Sequence, residues 1–246
     1  MLIKRFGFYK GDYFQRDSQA VSGSPLAVSG KGANPPASSM PAPFSKGGLY
    51  EQKQIVWHHT VSNGSAEAVA EWFGADHGAS KIATAYVIAL DGTILQLFDP
   101  VDGWAYHTGL YGQGDKNVIG IEIVNAGPLV KKTVKNLLNG KDEEKYFWLD
   151  GKYEFTGKVF DNGKVWRGIS QYWAAYTDTQ IQAVGELTAW LCDRFDIPKK
   201  VLSDLAFKAE YCNWKGIIAH CNIRKDKSDV SCAFDFMKAQ KVLMSA

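Results

Sequence analysis

Five histidines are available for chemistry in this chain: His58, His59, His77, His107 and His220. Two of them close apolar runs, His58 after Gln54-Ile-Val-Trp and His220 after Gly216-Ile-Ile-Ala. An imidazole at the end of a buried strand costs free energy unless it is hydrogen-bonded or ligated. A lone strand-end histidine is ordinarily structural. Two of them, followed by the Lys-x-Asp of Lys227 and Asp229, form a different pattern. Two imidazoles and a carboxylate that leave a fourth position open are a donor set for catalytic zinc. Glu122 is a lone acid among Gly120, Ile121, Ile123 and Val124. It can be an outward-facing strand charge or a buried functional carboxylate, and both readings stand at this level. Lys227 taken alone is a solvated loop lysine.

The elements that must position these groups follow from patterning. Residues 54–60 read as a buried strand, and since neighbouring strand residues face opposite sides, only one of His58 and His59 can reach a given site. Ser65 opens a short helix with Val69, Trp72 and Phe73 at helical spacing. A hairpin is predicted over 84–98, with Asp91-Gly92 as a two-residue turn in which both residues take positive φ. Residues 118–124 form a further strand. Added β structure is expected at 145–166, with turn signals at Asp150-Gly151 and Asn162-Gly163. Thr177 and Gln180 make a capping-box pattern for a long helix whose stripe is Ile181, Val184, Leu187, Leu191 and Phe195, ending before Pro198. A short strand from Gly216 ends at the histidine, and 233–244 reads as a terminal helix. Interleaved strands and helices with one hairpin imply a single α/β domain, a mixed central sheet flanked by helices.

Composition sets the limits. From Ser18 to Gly48 the chain turns to Ser, Gly, Ala and Pro, too poor in apolar surface to repay ordering. Residues 1–48 are therefore expected to be an extended N-terminal arm and linker, and 49–246 the domain, with a β-rich insertion at about 128–175. A net charge of +2 argues against a nucleic-acid partner. No run of ~18 apolar residues offers a membrane helix. The first residues lack a signal-peptide core, so synthesis in the cytoplasm is expected. Cys192, Cys212, Cys221 and Cys232 show no disulfide or C-x-x-C spacing, and free thiols are expected.

Four blocks carry a resemblance. Ile55-Val-Trp-His-His-Thr60 resembles the strand that supplies the first zinc histidine in type-2 N-acetylmuramoyl-L-alanine amidases, a family related in fold to peptidoglycan-recognition proteins and amidase-type phage lysozymes. Asp91-Gly-Thr-Ile-Leu-Gln96 with Trp104-Ala-Tyr-His-Thr-Gly109 is similar to its hairpin and H-x-G block. Asn117-Val-Ile-Gly-Ile-Glu-Ile-Val-Asn125 resembles its I-G-I-E strand. Ala219-His-Cys-Asn-Ile, Lys227-Ser-Asp229 and Ala233-Phe-Asp-Phe236 resemble its ending. The blocks fall in order across 54–236.

The resemblance implies a peptidoglycan-recognition-protein-like fold and one zinc ion per chain, held by His58, His220 and Asp229. It implies Glu122 as the catalytic carboxylate, Lys227 as the oxyanion partner and His107 at the substrate groove. The substrate it implies is peptidoglycan or a muropeptide, cut between N-acetylmuramic acid and L-alanine on the bacterial wall. A non-catalytic wall-binding module of the same fold is the alternative. There are departures. The family's Asp-Pro-Gly is Asp229-Val-Ser231 here, and Cys232 lies close enough in sequence to compete with Asp229 for the metal. An auxiliary histidine or tyrosine of the family is replaced at Thr84-Ala85, which leaves Glu122 as the sole base. Trp104, Tyr106, Trp166 and Trp173 are candidate groove walls.

Overall fold

A computed structural model describes residues 1, 3–5, 45–46, 50–62, 64–75, 82–101, 103–110 and 114–246. His77 and almost all of the expected arm lie outside the described residues. In chain order the elements are β1 (Ile3–Arg5), β2 (Ser45–Lys46), β3 (Gln54–His59), α1 (Ala66–Gly74), β4 (Tyr86–Ile88), β5 (Ile94–Gln96), β6 (Gly103–Trp104) and β7 (Val118–Ile123). They continue with β8 (Pro128–Lys135), β9 (Asp142–Trp148), β10 (Glu154–Phe155), β11 (Val159–Trp166), β12 (Ser170–Ala174), α2 (Asp178–Phe195), β13 (Gly216–Ala219), α3 (His220–Ile223) and α4 (Phe236–Ser245).

Among the described residues the central sheet has the order β1-β5-β4-β7-β3-β13. Only β4 and β5 pair antiparallel; the other neighbours are parallel, so the sheet is mixed, with helices against it. The parity of β3 sorts its faces. Ile55 and Trp57 enter the main core with Ile181, Val184, Leu187 and Leu191 of α2 and Ala239 and Leu243 of α4. Trp57 Nε1 donates to Thr188 Oγ1 at 3.1 Å, tying the strand to the helix. Val56 faces the other way, clustering with Ile218 and Ile223. The side chain of His58 shares that second face, and parallel register sets Glu122 beside it. His58 and Glu122 are therefore carried on the middle strands, where ladder bonds on both sides hold the backbone.

Local chemistry explains the helices. Ser65 accepts from the Ala68 N–H to cap α1. Thr177 and Gln180 cap α2 reciprocally, and Asp196 ends it in the left-handed conformation just ahead of Pro198. The hairpin differs from the predicted turn. Gly92 alone takes positive φ (85°), and its N–H donates to Ala89 O, so Leu90 and Asp91 form an ordinary turn closed by a left-handed glycine. Trp72 lies on the outer side of α1 and is 55% exposed. β13 stops at Ala219, and His220 opens the one-turn α3.

The added β structure is larger than patterning indicates. Five strands form a separate antiparallel sheet, β10-β9-β8-β12-β11, with its own small core of Ala126, Leu129, Phe155 and Ala174. Its Lys-rich, half-polar strands hide the alternation that would have marked them. At the N-terminus, β1 extends the central sheet along β5 and buries Ile3. No helix among the described residues is long and apolar enough to cross a membrane.

Candidate metal centre

His58, His220 and Asp229 converge. His58 Nδ1 is 3.1 Å from His220 Nδ1 and 3.1 Å from Asp229 Oδ2, and His220 Nδ1 is 2.9 Å from the same oxygen. All three residues are buried, and they are the one group of this kind found among the described residues. Each comes from a different element: the end of β3, the start of α3, and the loop between α3 and α4. The peptide between Asp229 and Val230 is cis.

Hydrogen bonds behind the rings assign their protons. Val118 O lies 3.3 Å from His107 Nε2 and can only accept, so that nitrogen carries a proton. His107 Nδ1 then accepts from His58 Nε2 at 3.0 Å, which leaves His58 Nδ1 with a bare lone pair. Thr108 O, 2.9 Å from His220 Nε2, has the same effect on His220. Burial lowers His58 to about 3 and also depresses His107, so both rings are neutral near pH 7. Burial alone would raise Asp229; positive charge and N–H donation at the point where His220 and His58 face it hold the carboxyl well below its usual range, so that point calls for a proton or a cation. Two lone pairs and an anionic oxygen thus face one another about 3 Å apart. A proton on one nitrogen would bridge part of this triangle; a single cation satisfies all of it. The donor set, two nitrogens and one oxygen, fits zinc.

Asp115 builds the support. It is buried and accepts from the backbone N–H groups of His107 (3.3 Å) and Thr108 (3.2 Å) and from the Thr108 hydroxyl. One carboxylate therefore fixes both the carbonyl behind His220 and the ring behind His58. Gly120 makes room for that ring: a Cβ there would lie 2.9 Å from His107 Nδ1 and 2.8 Å from Thr84 Cγ2. The side chain of His107, which the family resemblance puts at the substrate groove, is 4% exposed and turned toward His58.

The remaining candidates fall in different places. His59 points to the opposite face, where its Nδ1 meets the Tyr176 hydroxyl at 2.8 Å and its Nε2 has no hydrogen-bond partner among the described residues. Glu122 is buried beside His58, and no hydrogen bond reaches its carboxyl among the described residues. Burial, then the charge of Asp229, push its pKa well above the usual carboxylate range, while Lys227 pulls it back. The Cys232 thiol is pushed up to about 11 by burial and stays protonated, outside the convergent group. All four cysteines are free. Of the expected wall aromatics, Trp173 is fully buried in contact with Trp166, whereas Trp104 and Tyr106 remain partly exposed and pack edge-to-face.

Three contributors are missed by a linear reading: Asp115, Tyr176 and Arg167. Asp115 carries a weak signal, an acid just after the H-x-G segment. The other two act on residues more than fifty positions away and leave none.

Comparison with known proteins adds the following. The family described as N-acetylmuramoyl-L-alanine amidase matches residues 50–231. No curated protein matches in sequence. Solved structures that are similar include an endolysin N-acetylmuramoyl-L-alanine amidase, LysCS, from Clostridium intestinale URNW: 15% identity, 79% of this chain and 85% of that one, TM-score 0.44. The catalytic domain of XlyA matches at 14% identity over 82% of this chain and 92% of its own, TM-score 0.46. The Staphylococcus aureus hydrolase AmiA, in complex with its ligand, matches at 11% identity over 78% of this chain and 71% of its own, TM-score 0.45.

Proposed function

From the premise that this chain belongs to the N-acetylmuramoyl-L-alanine amidase family, we propose that it hydrolyses the amide between N-acetylmuramic acid and L-alanine in peptidoglycan, using one zinc ion held by His58, His220 and Asp229. The observation that carries the zinc assignment is the hydrogen-bond pattern behind the rings, which turns both Nδ1 lone pairs onto one carboxylate oxygen. When bound, the ion supplies Lewis acidity to the scissile carbonyl and to a water.

The chain's own groups do the rest. Glu122 accepts the proton of the attacking water and delivers it to the departing nitrogen of L-alanine, as the carbon–nitrogen bond breaks and a carboxyl forms on the muramic lactyl group. Its upward-shifted pKa is consistent with this role, because a carboxyl moved toward neutral pH can both take up and give back a proton. Lys227 offers positive charge to the oxygen that becomes anionic as water adds. His107, itself held by Val118 and Asp115, fixes the tautomer of His58 and so keeps its lone pair toward the metal. Partly exposed Trp104 and Tyr106 offer stacking surface for a sugar–peptide chain.

Digestion of purified sacculi tests the reading. Mass spectrometry should find free stem peptides with new L-alanine amino termini and intact glycan. Binding to sacculi with no release of stems would make the protein a wall-binding module and overturn the enzymatic reading. Soluble anhydro-muropeptides, run in parallel, distinguish a preference for small fragments from one for intact wall.

A further inference from the structure

The hairpin between β11 and β12 reaches out of the second sheet and ends in Arg167 and Gly168, both left-handed, with φ of 53° and 70°. The Ile169 N–H closes it onto Trp166 O at 3.0 Å. This is a two-residue turn whose positive-φ positions favour Asn or Gly, and an arginine in the first of them is out of place on local grounds. Its side chain supplies the reason. Nη1 donates to Lys225 O (3.2 Å) and Lys227 O (3.0 Å), and Nη2 donates to Leu205 O (2.9 Å) and Cys221 O (2.9 Å). The guanidinium also lies over the Trp166 ring, 5.2 Å from its centroid, and Trp166 packs on buried Trp173.

These carbonyls belong to the parts that carry the site. Cys221 follows His220, and its N–H donates to Asp229 O at 2.6 Å, so α3 and the Asp229 loop are already joined. Lys225 and Lys227 lie in that same loop. One planar cation therefore clamps the turn bearing His220, the loop bearing Lys227 and Asp229, and the neighbouring segment at Leu205. Leu205 is itself left-handed, with φ of 52°. Four carbonyl dipoles converging on one point need a positive centre, and the fork of a guanidinium meets two pairs of them at once, which a single ammonium nitrogen does not.

We propose that Arg167 is a positioning residue for the metal centre: the second sheet uses it to set the loop that carries Lys227 and Asp229 and thereby sets metal affinity. This rests on the zinc reading above. Arg167 touches none of the reacting atoms and acts only through the backbone it holds.

The test compares wild type, Arg167→Ala and Arg167→Lys, with Leu129→Ala as a variant that weakens the second sheet without touching the clamp. Amide hydrogen exchange on the metal-free proteins is read first. Amides of 225–230 should exchange on the order of tenfold faster in both Arg167 variants, with β3, β7 and β13 unchanged. Zinc affinity, measured by chelator competition, should fall roughly 10–100-fold in both. Millimolar guanidinium should restore part of the affinity of Arg167→Ala, and methylammonium should not. Leu129→Ala should leave loop exchange and zinc affinity near wild type. Arg167→Lys keeps charge and stem, and it carries the test if the alanine variant does not fold. Wild-type loop exchange and wild-type zinc affinity in an Arg167 variant overturn the proposal, as does an equal loss in Leu129→Ala. A wild-type protein that binds no zinc overturns the zinc reading instead, and the exchange data still judge the clamp.

Discussion

The two halves of the candidate metal centre are held by different means. His58 and Glu122 stand side by side on β3 and β7, strands bonded on both edges and buried on both faces. Asp229 and Lys227 sit on an irregular loop held in place by long-range contacts: Arg167, the Cys221 N–H, and the Tyr176 hydroxyl, which accepts from the Ser231 N–H at 3.5 Å. A strand position is set by ladder bonds that any compatible residue makes. A loop position depends on particular side chains, often from far along the chain. The backbone of the strand half should therefore hold whatever its surroundings, and the backbone of the loop half should report on them.

The largest expected effect is on the strand half and is chemical. Glu122→Gln keeps shape and removes the basic oxygen, so turnover should fall by about 10²–10⁴-fold while zinc content and substrate binding persist. Near-normal turnover in a zinc-loaded variant would remove Glu122 from the mechanism.

Gly120→Ala strikes the strand half structurally. The new Cβ, 2.9 Å from His107 Nδ1, must push that ring off His58. Zinc affinity should drop by roughly 10–100-fold, the scale of losing a group that orients a ligand, with little change in sheet content by circular dichroism. Unaltered affinity would show that His58 does not need His107.

On the loop half, Tyr176→Phe takes the partner of His59 Nδ1 and the acceptor of Ser231 N–H away together. The variant should lose about 1–3 kcal/mol in chemical denaturation, the cost of leaving buried polar groups unpaired. Amides near Ser231 should exchange faster while those of β3 hold. Uniform loosening of both halves would erase the distinction drawn between them.

The smallest effect on catalysis is expected from the N-terminus. A chain beginning at Leu49 should hydrolyse a soluble muropeptide as the full chain does. It should melt at a lower temperature, because β1 and its buried Ile3 are gone and burying one such side chain contributes about 1.5–3 kcal/mol. Lost activity in a folded truncation would bring residues 1–48 into the site.

The same division explains what could be read from the sequence. β3, β7, the capping box of α2 and the strand leading to His220 were all visible, because local alternation and caps specify them. The strand-end positions of His58 and His220 were visible too, whereas Asp229 as their partner and the choice of His58 over His59 rest on the family resemblance. The hydrogen-bond chain through His107 was not visible, for it depends on a carbonyl eleven residues away and on the space left at Gly120. Arg167 reads in sequence as one more surface cation of the insertion, and its neighbour Trp166 as a wall residue, because only the folded second sheet shows which way each points. The hairpin turn sits one residue earlier than the Asp91-Gly92 pattern predicts, since a left-handed glycine serves both hairpin types equally well.

The assignment of zinc to His58, His220 and Asp229 stands or falls on elemental analysis of purified protein. One zinc per chain is expected in the wild type and in Cys232→Ser, and none in Asp229→Ala or His58→Ala. Zinc retained by Asp229→Ala and lost by Cys232→Ser would contradict it and move the third ligand to the thiol.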